Sequence, residues 1–323
     1  MTEVNFMNDI LKQAGFFSHT VLHFTLETYN KPPKPVDDLI ELLSTRGMIF
    51  DCKVTAKHLI THASYYRLRS YWYNFESCKI SHQFIKGTNF NDVINIYNFD
   101  RKLRKHFLEA IDCIETSIRA LWSQEFAINY SPHAYSNYSR GLYIDERLFR
   151  KNIKQLKEIL DNSDKEFVLH FRRKYIEDYP PIWASVEVMT FGLISRFYKN
   201  TKPIQLKNKT CGVFNFDVRF FDGLLEHLTY LRNICAHQSR FWNISPMKRL
   251  PTIRTKPSEL VTSVHQTGKN RIYNTLVVVQ HMLNIICKNN IWKSELIQII
   301  ENHPIDTKQM GFPANWQSLD AWK

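Results

Sequence analysis

Residues 91–127 run NDVINIYNFDRKLRKHFLEAIDCIETSIRALWSQEFA, and the period of their apolar positions decides the fold class. Val93, Ile96, Leu103, Phe107, Ala110, Ile114, Ile118 and Leu121 recur at intervals of three, four or seven. On a helix advancing about 100° per residue these positions form one stripe. The stretch contains neither Gly nor Pro, so nothing local breaks it. The spacing predicts a long amphipathic helix.

The same period extends outward. Only 9 glycines and 12 prolines punctuate 323 residues, and the segments between them predict helices rather than alternating strands. Upstream, residues 1–30 form an N-terminal extension with a leading helix, which the KPPKP run at residues 31–35 ends. Short helices are expected at 36–47 and 54–62, and a turn-rich stretch at 77–91 marks a domain boundary. Downstream, helices are expected at 144–160, 165–175, 183–189 and 195–199, with Gly192 interrupting between the last two. Residues 201–213 are expected as a loop, 215–237 as a second strong helix, 245–270 as a connection, and 271–288 and 292–301 as the closing helices. The fold class is mainly α: a helical module at 31–90, a helical domain at 91–303 and a C-terminal tail at 304–323.

Hydrophobic residues make up 44% of the chain, enough for a substantial core, yet no apolar run approaches the roughly 18 residues of a membrane-spanning helix. The first 19 residues carry Glu3, Asp9 and Lys12 and lack the basic-then-apolar order of a secretory signal, which predicts the cytoplasm. Six cysteines without a CxxC pair argue against a zinc ribbon or a disulfide framework. His19/His23 and His58/His62 are spaced four apart, but no third ligand stands near either pair, so no metal is expected. No P-loop, dinucleotide glycine motif or GxSxG elbow is present, and no cofactor is expected. The net charge of +12 and pI near 9.3 suit a polyanionic partner, because neutralising phosphates releases condensed counterions.

The candidate chemistry lies in LTYLRNICAHQSRFWN, residues 228–243. Helical spacing gathers Phe220, Leu224, Leu228, Leu231 and Cys235 on a core-facing stripe. Arg232, Asn233 and His237 fall opposite or beside it, with Asp222, Glu226 and Thr229. An imidazole titrating near neutrality can move a proton to or from an RNA 2′-hydroxyl or a leaving oxygen. An Arg fork can hold the phosphate and its transition-state charge, and Asn can orient the His or bind a phosphate oxygen. Such a face is equally that of an ordinary wet helix. One imidazole supplies one acid or base at a time, so a homodimer apposing two faces would complete the set.

Spacing alone is weak, since Arg101 to His106 within DRKLRKH repeats it. That second case has Lys102 in place of the amide and is expected on the outer side of its helix, facing solvent or RNA. Asp100, on the seam of the same helix, needs a partner: Arg104 at i+4 or Arg232 from a neighbouring helix. The segment Tyr65, Tyr66, Arg67, Arg69, Tyr71, Trp72 and Tyr73 mixes aromatics with guanidiniums as single-stranded RNA sites do. About half of it should be buried, with Arg67 and Arg69 exposed. The candidate RNA contacts are Tyr66, Arg67, Arg69, Arg101, Lys102, Arg104, Lys105 and Arg240. Basic runs at 171–174 and 248–256 are expected to be solvated faces.

RNICAHQSRFWN resembles the Arg-polar-His signature of the HEPN superfamily, especially Abi-like proteins of the AbiD and AbiF group. KPPKPVDDLIELLSTRGMIF, SYYRLRSYWYNF, INIYNFDRKLRKHFLEAIDCIETSIRALW and WASVEVMTFGLISRFY resemble further segments of that family in the same order. The resemblance implies a HEPN-like helical bundle, usually dimeric, whose paired sites cleave RNA without metal and leave 2′,3′-cyclic phosphate ends, halting growth on phage infection. Some loci of the family are associated with a small non-coding RNA. The signature maps onto Arg232, Asn233 and His237. Three function classes stay open: an endoribonuclease, a catalytically silent dimer that captures a structured RNA, and a helical protein with an acidic protein partner.

Overall fold

One helix organises the chain. Phe90–Asn129 is helical throughout, about 60 Å at 1.5 Å per residue, in a computed structural model that describes residues 28, 30, 32–254, 257–266, 268 and 270–323. The expected leading helix and the His19/His23 pair lie outside the described residues. Asn89 caps the long helix by accepting the Asn91 N–H at 2.8 Å, and Pro132, two residues past the C-cap Tyr130, bars its continuation.

In chain order the helices are α1 (Val36–Thr45), α2 (Lys53–Ala63), α3 (Tyr65–Trp72), the long α4, α5 (Glu146–Asp161), α6 (Glu166–Lys174), α7 (Ile182–Ser185), α8 (Phe191–Asn200), α9 (Ile204–Gly212), α10 (Val218–Ala236), α11 (Ser258–Val261), α12 (Tyr273–Ile286) and α13 (Trp292–Glu301). A two-stranded antiparallel hairpin, β1 (Glu76–Cys78) and β2 (Gln83–Phe84), occupies the stretch expected to be turns. Helices α3, α7, α9, α10, α12 and α13 all pack against α4. A single apolar cluster runs from Ile40 through the α4 stripe to Trp322, so residues 40–90 share a core with the rest. Among the described residues no helix is long and apolar enough to cross a membrane.

Three local expectations are corrected. Residues 204–212, expected as loop, form α9, whose apolar positions are too few to show a period. Lys207 compensates: its ammonium is buried against Asp222 at 2.7 Å, and its carbonyl accepts the Tyr198 hydroxyl at 2.9 Å. Gly192 does not interrupt a helix but lies within α8, where an added Cβ would come 3.3 Å from Thr229 Cγ2; it lets α8 and α10 approach. The helix expected at 183–189 is only the single turn α7. Residues 304–323 carry buried Met310, Phe312, Trp316 and Trp322. Trp322 Nε1–H donates to the Tyr273 hydroxyl at 3.0 Å, so this segment closes over α12.

Candidate active site

Helix α10 begins with Asp217, whose carboxylate accepts the Phe220 N–H at 2.8 Å. Its predicted stripe is buried in full: Phe220, Leu224, Leu228, Leu231 and Cys235. The polar face, by contrast, is not uniformly open. Asp222 is taken by Lys207 of α9, and Glu226 by Lys199 of α8 at 2.5 Å. Burial pushes the Asp222 carboxyl above its ordinary range, against the pull of Lys207. The last turn differs: Asn233, Ala236 and His237 are exposed and Arg232 is half-buried. Asn233 and His237, four residues apart, share a face, whereas Arg232 lies about 140° around the axis from His237. Arg232 Nη1 stands 3.5 Å from Asn233 Oδ1. The His237 imidazole has no partner among the described residues.

His237 is the C-cap, and the chain leaves the helix there through a Schellman motif. Gln238 N–H donates to the Cys235 carbonyl at 3.0 Å, and Ser239 N–H to the Ile234 carbonyl at 2.9 Å. The motif places Gln238 at φ 57°, where glycine is usual and another residue costs about 1 kcal/mol. What offsets that cost is a clamp on the following residues. The Gln238 carbonyl accepts from Arg67 at 2.7 Å. Arg240 Nη1 donates to the Ser70 carbonyl at 2.9 Å. Asp100 accepts the Phe241 N–H at 3.1 Å and the Trp242 N–H at 2.5 Å, and its second oxygen accepts the Tyr71 hydroxyl at 2.6 Å and the Arg104 guanidinium. Phe241 and Trp242 are then buried, worth about 2 kcal/mol each or more. The His237 turn is therefore held from α3 and α4 together.

Asp100 thus finds Arg104, not Arg232, together with a tyrosine and two main-chain amides. Burial pushes its carboxyl upward while these donors oppose the shift. Burial also raises the Tyr71 hydroxyl, keeping it a donor, and raises the Cys235 thiol.

Several expectations of exposure fail here. Arg104 turns inward to Asp100 and is buried, so its fork is not available to a phosphate. Arg67, Arg69 and Arg240 are half-buried, and Arg67 and Arg240 are committed to carbonyls of the clamp. His106, expected on an outer surface, is buried: its ring stacks on Trp292 at 4.8 Å and 6°, with Nε2 2.9 Å from the Trp292 carbonyl. Burial lowers its pKa. The position is sealed because α13 covers that side of α4, which the α4 sequence does not contain. Tyr66, Arg101, Lys102 and Lys105 are exposed, with Arg101 5.7 Å above the Tyr97 ring. His58 and His62 have their rings 4.5 Å apart. In the run at 171–174, Arg172 and Arg173 pair with Asp161 and Glu166.

The clamp was missed in sequence. Its one visible signal is Asp100 on an apolar seam; the amides it holds are main-chain atoms more than a hundred residues away.

A helical protein whose central helix anchors a return turn with an open Asn and His beside a half-buried Arg is the class defined so far. A family model described as Abi-like protein matches residues 58–243, ending just past the clamped turn and spanning over half of the chain. The chain belongs to the Abi-like protein family. No curated protein and no solved structure matches it.

Proposed function

We propose that this Abi-like protein serves abortive infection in the cytoplasm as a metal-independent endoribonuclease of HEPN type. What carries the proposal is the last turn of α10, where Asn233 and His237 are open and the chain beyond is clamped by Asp100, while the preceding turns of the same face are closed by ion pairs. An imidazole held on a fixed turn, facing solvent, with the Asn233 amide on the same face and Arg232 reaching that amide from the side, suits in-line attack of an RNA 2′-hydroxyl.

In that reaction the 2′-oxygen gives its proton to one His237 and bonds to the adjacent phosphorus. The bond to the 5′-oxygen breaks, and that oxygen takes a proton from a second imidazole. The products are a 2′,3′-cyclic phosphate and a 5′-hydroxyl. Arg232 binds the phosphate oxygens and Asn233 orients the imidazole. Each chain offers one such His, so two copies meet at this face as a homodimer. Tyr66, Arg101, Lys102 and Lys105, all exposed, are the groups left to guide RNA toward it, and a small non-coding RNA is a partner of the same chemistry.

The test is cleavage of RNA by the purified full chain in EDTA, with the product ends identified. Cleavage by the wild-type protein and none by a folded His237→Ala protein is expected. Persistent cleavage by His237→Ala would sink the assignment. RNA bound but not cut by the wild type would favour the silent RNA-capturing dimer.

A further inference from the structure

At the other end of α10, about 28 Å from His237 along the helix, a cavity of about 490 Å³ lies between the first turn of the helix and residues 251–254. Arg219 and Arg254 line it. Both are exposed, and among the described residues neither has an ion-pair or hydrogen-bond partner. Phe220, Pro251 and Ile253 provide apolar wall, and Thr252 adds a hydroxyl. The lining carboxylate, Asp217, is half-occupied as the helix cap. A second cavity of about 150 Å³ shares the 251–253 wall and adds Arg249 and Asn270, while the Asn274 amide on its lining is taken by the His265 main chain.

The far wall is fixed in place rather than draped. Gly223 allows it to touch α10: an added Cβ would sit 2.5 Å from Pro251 Cγ, closer than any packed pair tolerates. One turn on, the buried His227 holds the same segment, its Nδ1 2.6 Å from the Lys248 carbonyl and its Nε2 2.8 Å from the Thr275 hydroxyl. For a neutral ring, Nδ1 donates and Nε2 accepts. Ile253 closes the segment as a buried anchor. The cavity is therefore preorganised, which is what keeps the ordering cost of binding low.

Its volume falls within the range of roughly 300–1,000 Å³ typical of small-ligand sites. Two unpaired guanidiniums select phosphate. The half-buried Pro251 suits the face of a base, and the Thr252 hydroxyl and the free oxygen of Asp217 suit ribose and base edges. A bare polyanion would meet Asp217, and a purely apolar ligand would strand the arginines. The geometry points to a nucleotide-binding groove, taking one nucleotide unit with its phosphate on Arg219 and Arg254 and its base over half-buried Pro251, between the edges of Phe220 and Ile253. The site is separate from the Arg232 and His237 turn and does not depend on cleavage there. The unit belongs either to a free mononucleotide or to single-stranded RNA.

The experiment uses full-length His237→Ala protein, so that no probe can be consumed, with and without Arg219→Ala/Arg254→Ala. Its probes are a dye-labelled uridylate decamer and adenosine monophosphate. The double substitution is expected to weaken at least one probe tenfold or more. If the decamer is held there, the slope of log affinity against log salt should also fall by about 0.7, for the one phosphate on a single strand. Loss for the decamer alone assigns the groove to RNA, and loss for the mononucleotide identifies a free nucleotide; either supports the site. Arg172→Ala/Arg173→Ala removes the same charge from an exposed face elsewhere and should change neither probe. An equal loss in that control, unchanged affinity in the groove variant, or no binding of either probe to the intact groove overturns the proposal.

Discussion

The chain contains the same spacing twice, Arg101 to His106 and Arg232 to His237, and the fold treats the two oppositely. The first lies mid-helix on α4, where α13 covers it; His106 stacks on Trp292 and is lost to solvent. The second ends a helix, so its imidazole stands at a terminus left exposed by the described residues, and the chain behind it is tied to α3 and α4. An Arg and a His five apart fall about 140° apart on a helix, so within one mid-helix turn they serve different faces. At a helix end the second residue of the spacing escapes that cover, and the imidazole stays open to a reactant even though the Arg lies on another face. A His in such a pattern becomes a chemical group by where its helix stops.

The comparison breaks if the two histidines exchange roles on mutation. His237→Ala should abolish RNA cleavage, a loss of at least about 10²-fold, and leave the midpoint of urea unfolding unchanged. Asp100→Ala, which strands Arg104 and frees two amides, should cost about 3–5 kcal/mol in chemical denaturation. A loss below about 1 kcal/mol would mean the clamp does not hold the turn.

Acid sharpens the contrast between buried and open imidazoles. Burial pulls the His227 pKa down to about 4 from an ordinary 6.5, so its neutral form is the folded one. Above pH 6.5 it has no effect on stability. As the pH falls from there toward 4, the unfolded chain takes up the proton first, and up to about 3 kcal/mol of stability is lost. His106, also lowered by burial, acts in the same direction. Unfolding free energies measured across pH 7 to 4 should show the loss, and His227→Gln should flatten it.

His106→Ala should cost about 2 kcal/mol, from a lost stack and a stranded carbonyl, without changing turnover. An effect on turnover with none on stability would return His106 to the candidate site. The smallest effect is expected at Gln238. Gly there removes the positive-φ cost and should stabilise by about 1 kcal/mol, measurable as a raised midpoint of thermal unfolding.

The long helix and the buried stripe of α10 were legible because both rest on local period, and period needs no partner. The exposed last turn was legible only as a polar arc, since Asp222, Glu226 and Asn233 look alike in sequence. Which of them stays open depends on lysines supplied by α8 and α9. Helix α9 itself was missed because its buried face, Leu206, Lys207, Thr210 and Cys211, mixes polar with apolar side chains and shows no hydrophobic period. Arg104 was legible as the i+4 partner of Asp100 and misplaced only as an RNA contact: a cation on a basic stretch looks solvated unless a buried carboxylate turns it inward.

From sequence alone follow the helical class, the basic surface charge, the apolar faces and the residue types that carry chemistry, because each is a property of neighbouring side chains and their period. The tertiary structure alone decided that Asp100 grips the amides of Phe241 and Trp242, that Gln238 takes a left-handed conformation under Arg67, that His106 is sealed and that His237 is open. Those outcomes depend on which elements cover one another, and covering is a long-range contact between residues whose separation in the chain leaves no local trace.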